Sequence, residues 1–259
     1  MNKGLQKKKI KMRAGKHLNF YGRKRGKKLS GLQEQFISNY LPKISLGGIS
    51  YEENPSREKI KIEEIFGEKC PVWLEIGFGG GEHLLAIAKK NTNNGIIGCE
   101  PYINGVAMLL PRLEKENLTK VRIFMDDARV LLEVLPDVSI EKLFLLFPDP
   151  WPKTKHKRRR LINKESLQSF KRVLMIDALI YIATDVDDYV KNVLEIFYGE
   201  ETFEWIATSA SDWRNPWEDW EATRYFEKAK ASGRKTTFLI FKKISLIDII
   251  LPLLLVNNL

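Results

Sequence analysis

The chain predicts an α/β fold, a mostly parallel seven-stranded sheet with helices on both faces and an antiparallel edge strand. Three observations carry this reading. Apolar runs alternate with amphipathic segments from residue 71 onward, a glycine-rich turn follows the first run, and acidic residues close the second and third.

The apolar runs lie at 72–76, 95–99, 121–125, 142–147, 178–183, 203–208 and 236–241. Helical segments at 82–91, 103–116, 128–135, 164–173 and 186–197 fill the gaps. Each strand–helix–strand unit of this kind returns the chain to the same edge, so successive strands run parallel. The last two runs are closest together in helix-poor sequence and supply the antiparallel edge. Upstream, 31–41 reads as an amphipathic helix broken by Pro42, Gly47 and Gly48, and 55–69 as a second short helix.

The 259 residues are 44% hydrophobic and 29% charged, enough apolar material for one sizeable core and enough charge to exclude wholesale disorder. Two cysteines, Cys70 and Cys99, form no C-x-x-C pair, which fits a reducing, cytoplasmic setting. His17, His83 and His156 are far apart, so no metal cluster is expected.

The charge is uneven. Residues 1–28 hold twelve Lys and Arg and no acid, whereas the remainder has 31 basic against 33 acidic residues. Such a block repels itself into an extended arm and attracts polyanions through counterion release; a solubilising or targeting arm is the plainer reading. Residues 1–30 are therefore expected to be a disordered basic tail, 31–245 the folded domain with 31–70 as its helical lead-in, and 246–259 an apolar extension. No apolar signal stretch follows the tail charges. The run 246–256 is too short for a membrane span and contains Asp248 and Pro252, so core packing and an oligomer contact both stay open. A monomer and a homodimer are equally compatible with the sequence.

The turn Glu75, Ile76, Gly77, Phe78, Gly79, Gly80, Gly81 and Glu82 joins the first strand to a helix. Glycines at Gly77, Gly79 and Gly81 permit positive φ and a close backbone approach to a ligand, although a tight connection alone would also use them. A dinucleotide fingerprint wants a small residue where Glu82 stands, and a carboxylate there competes with pyrophosphate for the helix N-terminus. Glu100 ends the second strand, where an acid accepts two hydrogen bonds from a ribose diol. Asp127 after the third strand can accept from an adenine amine, with Asp126 beside it free to cap the next helix. An adenosine pocket without a pyrophosphate cradle fits S-adenosylmethionine, whose net positive charge Glu75, Glu100 and Asp127 complement.

After the fourth strand come Pro148, Asp149, Pro150, Trp151, Pro152 and Lys153, and then Lys155, Lys157, Arg158, Arg159 and Arg160 around His156. Three prolines fix φ and stiffen the loop at the strand's carboxyl end, where open α/β sheets bind ligands. The basic run offers a second phosphate site, or a solvated turn.

These motifs together resemble the bacterial tRNA (guanine-N7-)-methyltransferases, the TrmB family of class I methyltransferases. The resemblance covers Phe20 to Arg23, Gln33 to Pro42, the glycine turn, and the stretch from Phe147 to Leu161. It implies a Rossmann-like fold, S-adenosylmethionine as cofactor, tRNA as partner, and methylation of guanine N7 at variable-loop position 46. It also implies that Glu75, Glu100, Asp127 and Asp149 line the cofactor site, that Asp149 is catalytic, and that Lys153, Asp185 and Thr223 contact substrate. Thr223, Arg224, Tyr225 and Phe226 are similar to a family Thr-x-Tyr-Glu motif whose glutamate Phe226 replaces. Glu227 stands one position later, turned by ~100° on a helix. The apolar end after Lys243 also departs from the family pattern.

Guanine N7 carries a lone pair and no proton, so its methylation is a displacement that needs no strong base. A carboxylate such as Asp149 or Asp185 can accept from the guanine edge as it becomes more acidic. Arg158, Arg159 and Arg160 are then expected on phosphates, and Trp151 either stacks on the base or packs within its loop. Two rivals differ in class. A nicotinamide oxidoreductase fails on Glu82, and a non-catalytic nucleic-acid-binding protein on the same fold would need only the basic tail.

Overall fold

The computed structural model describes residues 20–245; the basic residues 1–19 and the apolar residues 246–259 lie outside the described ones. The chain opens with helices α1 (Gly31–Asn39), α2 (Leu41–Ile44) and α3 (Ile62–Phe66). Alternation follows as β1 (Val72–Ile76), α4 (Glu82–Lys90), β2 (Gly95–Cys99), α5 (Ile103–Lys115), β3 (Val121–Phe124), α6 (Ala128–Val134) and β4 (Ile140–Leu146). A 3₁₀ turn at Thr154–Arg159 leads to α7 (Lys164–Val173), β5 (Leu174–Thr184), α8 (Asp187–Tyr198) and β6 (Phe203–Trp205). The chain then forms α9 (Ala210–Arg214), α10 (Arg224–Ala231) and β7 (Thr237–Lys243).

The sheet has the order β3-β2-β1-β4-β5-β7-β6. β1 to β5 are parallel, and β7 runs antiparallel between β5 and the short edge strand β6. Strand alternation sends Val72, Leu74 and Ile76 into one apolar layer with α6, α7 and α8. Trp73 goes to the other, with Leu84, Leu109, Phe144 and Phe238. Every β1 side chain is buried, as a central parallel strand covered on both faces requires.

α1 begins at a capping box in which Ser30 accepts from the Gln33 amide at 3.3 Å and Gln33 reaches back to the Ser30 amide at 3.0 Å. The predicted helix over 55–69 shrinks to α3, because turn chemistry wins at its start. Asn54 donates to the Glu58 carbonyl and accepts from the Glu58 amide, both at 2.9 Å, and Arg57 adopts φ +58°. Arg57 then bonds the Ile49 and Val130 carbonyls and the Glu133 carboxylate, fixing the loop to α6.

The expected disordered arm over 1–30 is corrected for its last third. Residues 20–30 form an extended strap across the start of α5: Ile103 donates to the Lys24 carbonyl at 3.1 Å, the Gly26 amide to Asn104 at 2.8 Å, and Asn104 to the Lys27 carbonyl at 2.7 Å. Satisfied backbone groups hold this segment where composition alone suggested solvent. Two further differences lie at the far end. β6 stops at Trp205 where 203–208 was expected, and α9 and α10 occupy sequence to which no helix was assigned.

α5 approaches the glycine turn closely enough that a methyl group on Gly105 would lie 2.2 Å from the Gly79 carbonyl oxygen. That oxygen is backbone, so the helix must move as a unit. Gly105→Ala is therefore expected to cost ~1–3 kcal/mol and to lower Tm by ~2–10 °C in a thermal melt followed by circular dichroism. A melt matching wild type would show that the helix yields without cost.

Candidate active site

The carboxyl ends of β1 to β5 lie on one edge of the sheet, the edge at which open α/β sheets form their ligand crevice. After β1, Gly77, Gly79 and Gly81 all take left-handed φ of +79°, +56° and +73°, which explains three glycines in five residues. The Gly77 amide donates to the Cys99 carbonyl at 2.7 Å and the Gly79 amide to Glu100 Oε2 at 2.7 Å. The other Glu100 oxygen accepts from the Tyr102 amide at 2.9 Å. Glu100 thus ties the first turn to the second strand's end, and each oxygen keeps a further lone pair for a ligand hydroxyl. It is 7% exposed, and burial pushes its carboxyl above the usual glutamate range, opposed by the two amide bonds.

Two of the expected cofactor contacts, Glu75 and Asp127, have protein partners in the structure. Glu75 shares its sheet face with Trp73, pointing into the core beside α4, where its Oε2 lies 2.8 Å from His83 Nδ1. Both side chains are buried, and His83 Nε2 has no hydrogen-bond partner. Asp127, not Asp126, caps α6, accepting from the Arg129 amide at 3.0 Å and pairing with the Arg129 guanidinium. Asp126 instead binds Lys24 of the strap at 2.6 Å. The helix opening at α4 is filled by Glu82, whose Oε1 accepts from Arg224 Nε at 2.8 Å. A pyrophosphate there would meet a carboxylate, in line with the sequence.

After β4, Asp149 is exposed at the mouth of the crevice and makes no hydrogen bond or ion pair among the described residues. Partial desolvation by the surrounding walls raises its carboxyl above the usual aspartate range. Phe147 and Trp151 on either side adopt left-handed φ of +51° and +41°, strained for aromatic residues and held by their surroundings. Phe147 donates its amide to the Ala183 carbonyl at 2.7 Å. Trp151 packs edge-on to Tyr21 of the strap and to His156, with the Arg159 guanidinium 4.1 Å from the Tyr21 ring centroid and 5.0 Å from that of Trp151.

Arg160 is the largest correction in the basic run. It is 1% exposed and acts as an internal brace, donating to the Pro150 carbonyl and to Asn192, both at 2.8 Å, and pairing with Asp188. A phosphate cannot reach it. Lys153 and Arg158 are exposed. Thr223 is buried as the N-cap of α10, accepting from the Phe226 amide at 3.2 Å, which leaves its hydroxyl hydrogen unassigned. Phe226 packs against Trp220 and Phe238, and Glu227 is exposed in the first turn, so the missing glutamate is replaced by apolar anchoring.

Sequence reading missed the cover over the glycine turn. Tyr225 lies over Gly79 and faces the Phe147 ring at 6.3 Å between centroids. Arg224 lies over Gly80, and Arg234 donates to Asp185 Oδ2 at 2.6 Å. Contacts of such separation leave no local pattern. Among the described residues no helix is long and apolar enough to cross a membrane, and no group of His, Cys, Asp and Glu is placed to hold a metal.

A parallel sheet with one reversed strand, a three-glycine turn and an acid at the end of β2 define a class I methyltransferase. Residues 69–239 match the family described as "Putative methyltransferase". The fold is like that of the solved 16S rRNA methyltransferase KamB, with a TM-score of 0.53 at 15% identity, covering 71% of this chain and 92% of that one. Two proteins named tRNA (guanine-N(7)-)-methyltransferase are much closer in sequence. That of Jannaschia sp. (strain CCS1) is 46% identical over 89% of this chain and 96% of its own length. That of Ruegeria sp. (strain TM1040) is 47% identical over 89% and 92%. The chain belongs to the tRNA (guanine-N(7)-)-methyltransferase family.

The Asp188–Arg160 brace has a defined pH signature. Hydrogen bonds from Lys157 and Arg160 lower the Asp188 carboxyl from 3.8 to about 2 in the folded state. Its contribution is therefore present above the unfolded value and lost as pH falls towards the folded one. Asp188→Asn should lower Tm at neutral pH, with the gap to wild type narrowing between pH 5 and pH 3 in scanning fluorimetry. A gap constant across that range would contradict the ion pair.

Proposed function

We propose that this chain transfers a methyl group from S-adenosylmethionine to N7 of guanine 46 in the variable loop of tRNA, giving 7-methylguanosine. The observation that carries it is Asp149, an unpartnered carboxylate on a strained, proline-flanked loop facing the same crevice as the glycine turn. The names of the relatives support the substrate and the atom modified.

Glu100 fits a ribose diol, because its two oxygens are already oriented by the Gly79 and Tyr102 amides. The left-handed glycines keep side chains out of the way of the cofactor's amino-acid portion. When bound, the cofactor supplies an electrophilic methyl on a sulfonium. N7 has no proton to lose, so the pocket needs no base. The buried His83 in its pair with Glu75 suits that requirement.

As N7 takes up the methyl group, positive charge appears on the purine and its N1 and N2 protons become more acidic. Asp149 accepts from that edge, a bond stronger in the transition state than in the ground state. Asp185 stands at the end of β5 on the same edge of the sheet and accepts from the base beside it. Lys153, Lys155 and Arg158 meet phosphates, joined by the tail. Trp151 and Arg159 hold the loop to the strap through their contacts with Tyr21, which leaves the ring less free to stack on the target base. The non-catalytic alternative has no observation of its own in its favour.

Asp149→Asn should reduce kcat ~10²–10³-fold while S-adenosylhomocysteine still binds in a calorimeter at reduced affinity. Turnover near wild type would remove the assignment. Deleting residues 1–19, with seven Lys and Arg, should weaken tRNA binding and lower the salt slope of log K by ~0.7–0.9 per lost phosphate contact. An unchanged slope would leave the tail off the tRNA.

A further inference from the structure

Asp185 and Arg234 are 49 positions apart, yet Arg234 Nε donates to Asp185 Oδ2 at 2.6 Å. Two local features bring them together. Gly233 at φ +69° ends α10, and the Arg234 amide returns to the Ala229 carbonyl at 3.0 Å. The antiparallel register then sets Thr237 opposite Thr184, so the residues before β7 lie beside the residue after β5. The pair sits at the crevice edge, with Arg234 at 44% and Asp185 at 17% side-chain exposure. A half-open ion pair of this kind adds little to stability. It joins one nitrogen to one oxygen, and among the described residues neither side chain has another partner. One carboxylate oxygen and two guanidinium nitrogens therefore remain available.

That combination of an acceptor beside a fixed donor is complementary to the guanine edge when the donor faces O6. Guanine presents O6 as an acceptor next to N1–H and N2–H donors, whereas adenine presents an amine donor next to an N1 acceptor. Resting on the assignment of Asp185 to the substrate, we propose that Arg234 is a specificity-determining residue that donates to guanine O6 while Asp185 accepts from N1–H, the N2 amine being left to Asp149. The pair carries no net charge. An amine in place of O6 faces the guanidinium donor to donor and leaves the carboxylate without its N1 proton, so the base is rejected on two counts.

The test compares tRNA transcripts with guanine or 2,6-diaminopurine at the target position, both of which keep N7 and the N2 amine. Wild type should prefer guanine by ~100-fold or more in kcat/KM. In Arg234→Met, which keeps the aliphatic stem, that preference should fall at least ~tenfold, and Arg234→Lys should restore part of it. If Arg234 only pins α10 to β5, both substrates fall together and the ratio stays at the wild-type value, which overturns the proposal. Asp185→Asn separates the two levels. Loss of guanine kcat/KM in that variant with an unchanged Arg234→Met ratio refutes the role of Arg234 alone. Wild-type kcat/KM in Asp185→Asn refutes the substrate assignment on which it rests.

Discussion

The hydrogen bond from the Gly79 amide to Glu100 is the constraint on which the rest of the crevice depends. It joins the bend after β1 to the end of β2 and, with the Tyr102 amide, fixes a buried carboxylate facing ligand space. The bend itself is possible only because three residues tolerate left-handed backbone, and α5 can approach it only because Gly105 has no side chain. Local conformation, helix packing and an electrostatic anchor are thus one arrangement. Burial pushes the Glu100 carboxyl upward, and the amide dipoles of Tyr102 and Gly79 oppose the shift.

The second half of the crevice is built on a different principle. The loop after β4 carries two residues in unfavourable backbone regions, and a buried arginine holds it from beneath through Pro150, Asn192 and Asp188. Strain of this sort persists only where surroundings over-determine it. The result is a rigid platform on which Asp149 stays free of partners, a condition that a flexible surface loop would not maintain. The strap over residues 20–30 adds a third side, linking Asp126 after β3 with Trp151 and Arg159 on the loop.

Much of this was legible in the sequence where chemistry is local. Glycine spacing announced positive φ, and the strand–helix alternation announced where the acid after the second strand would lie. Elsewhere the structure gives residues read as ligand contacts a protein partner that their spacing did not announce. Strand alternation turns Glu75 towards His83, Asp127 is captured by the helix it starts, and Arg160 is drawn inward by Asp188. A run of basic residues does not reveal which one is buried. The short helix α10 was not assigned; it is tied to the rest of the fold by Phe226 packing on Phe238 and by Arg224 pairing with Glu82 of α4.

The account turns on a methyl group reaching N7 of one tRNA guanine. An unmodified tRNA transcript incubated with the full chain and methyl-labelled S-adenosylmethionine, then reduced and cleaved with aniline, reports that atom directly. Label incorporation with one new cleavage at guanine 46 is the predicted outcome. Label on another base or atom, or none under conditions where the protein binds the tRNA, would contradict it.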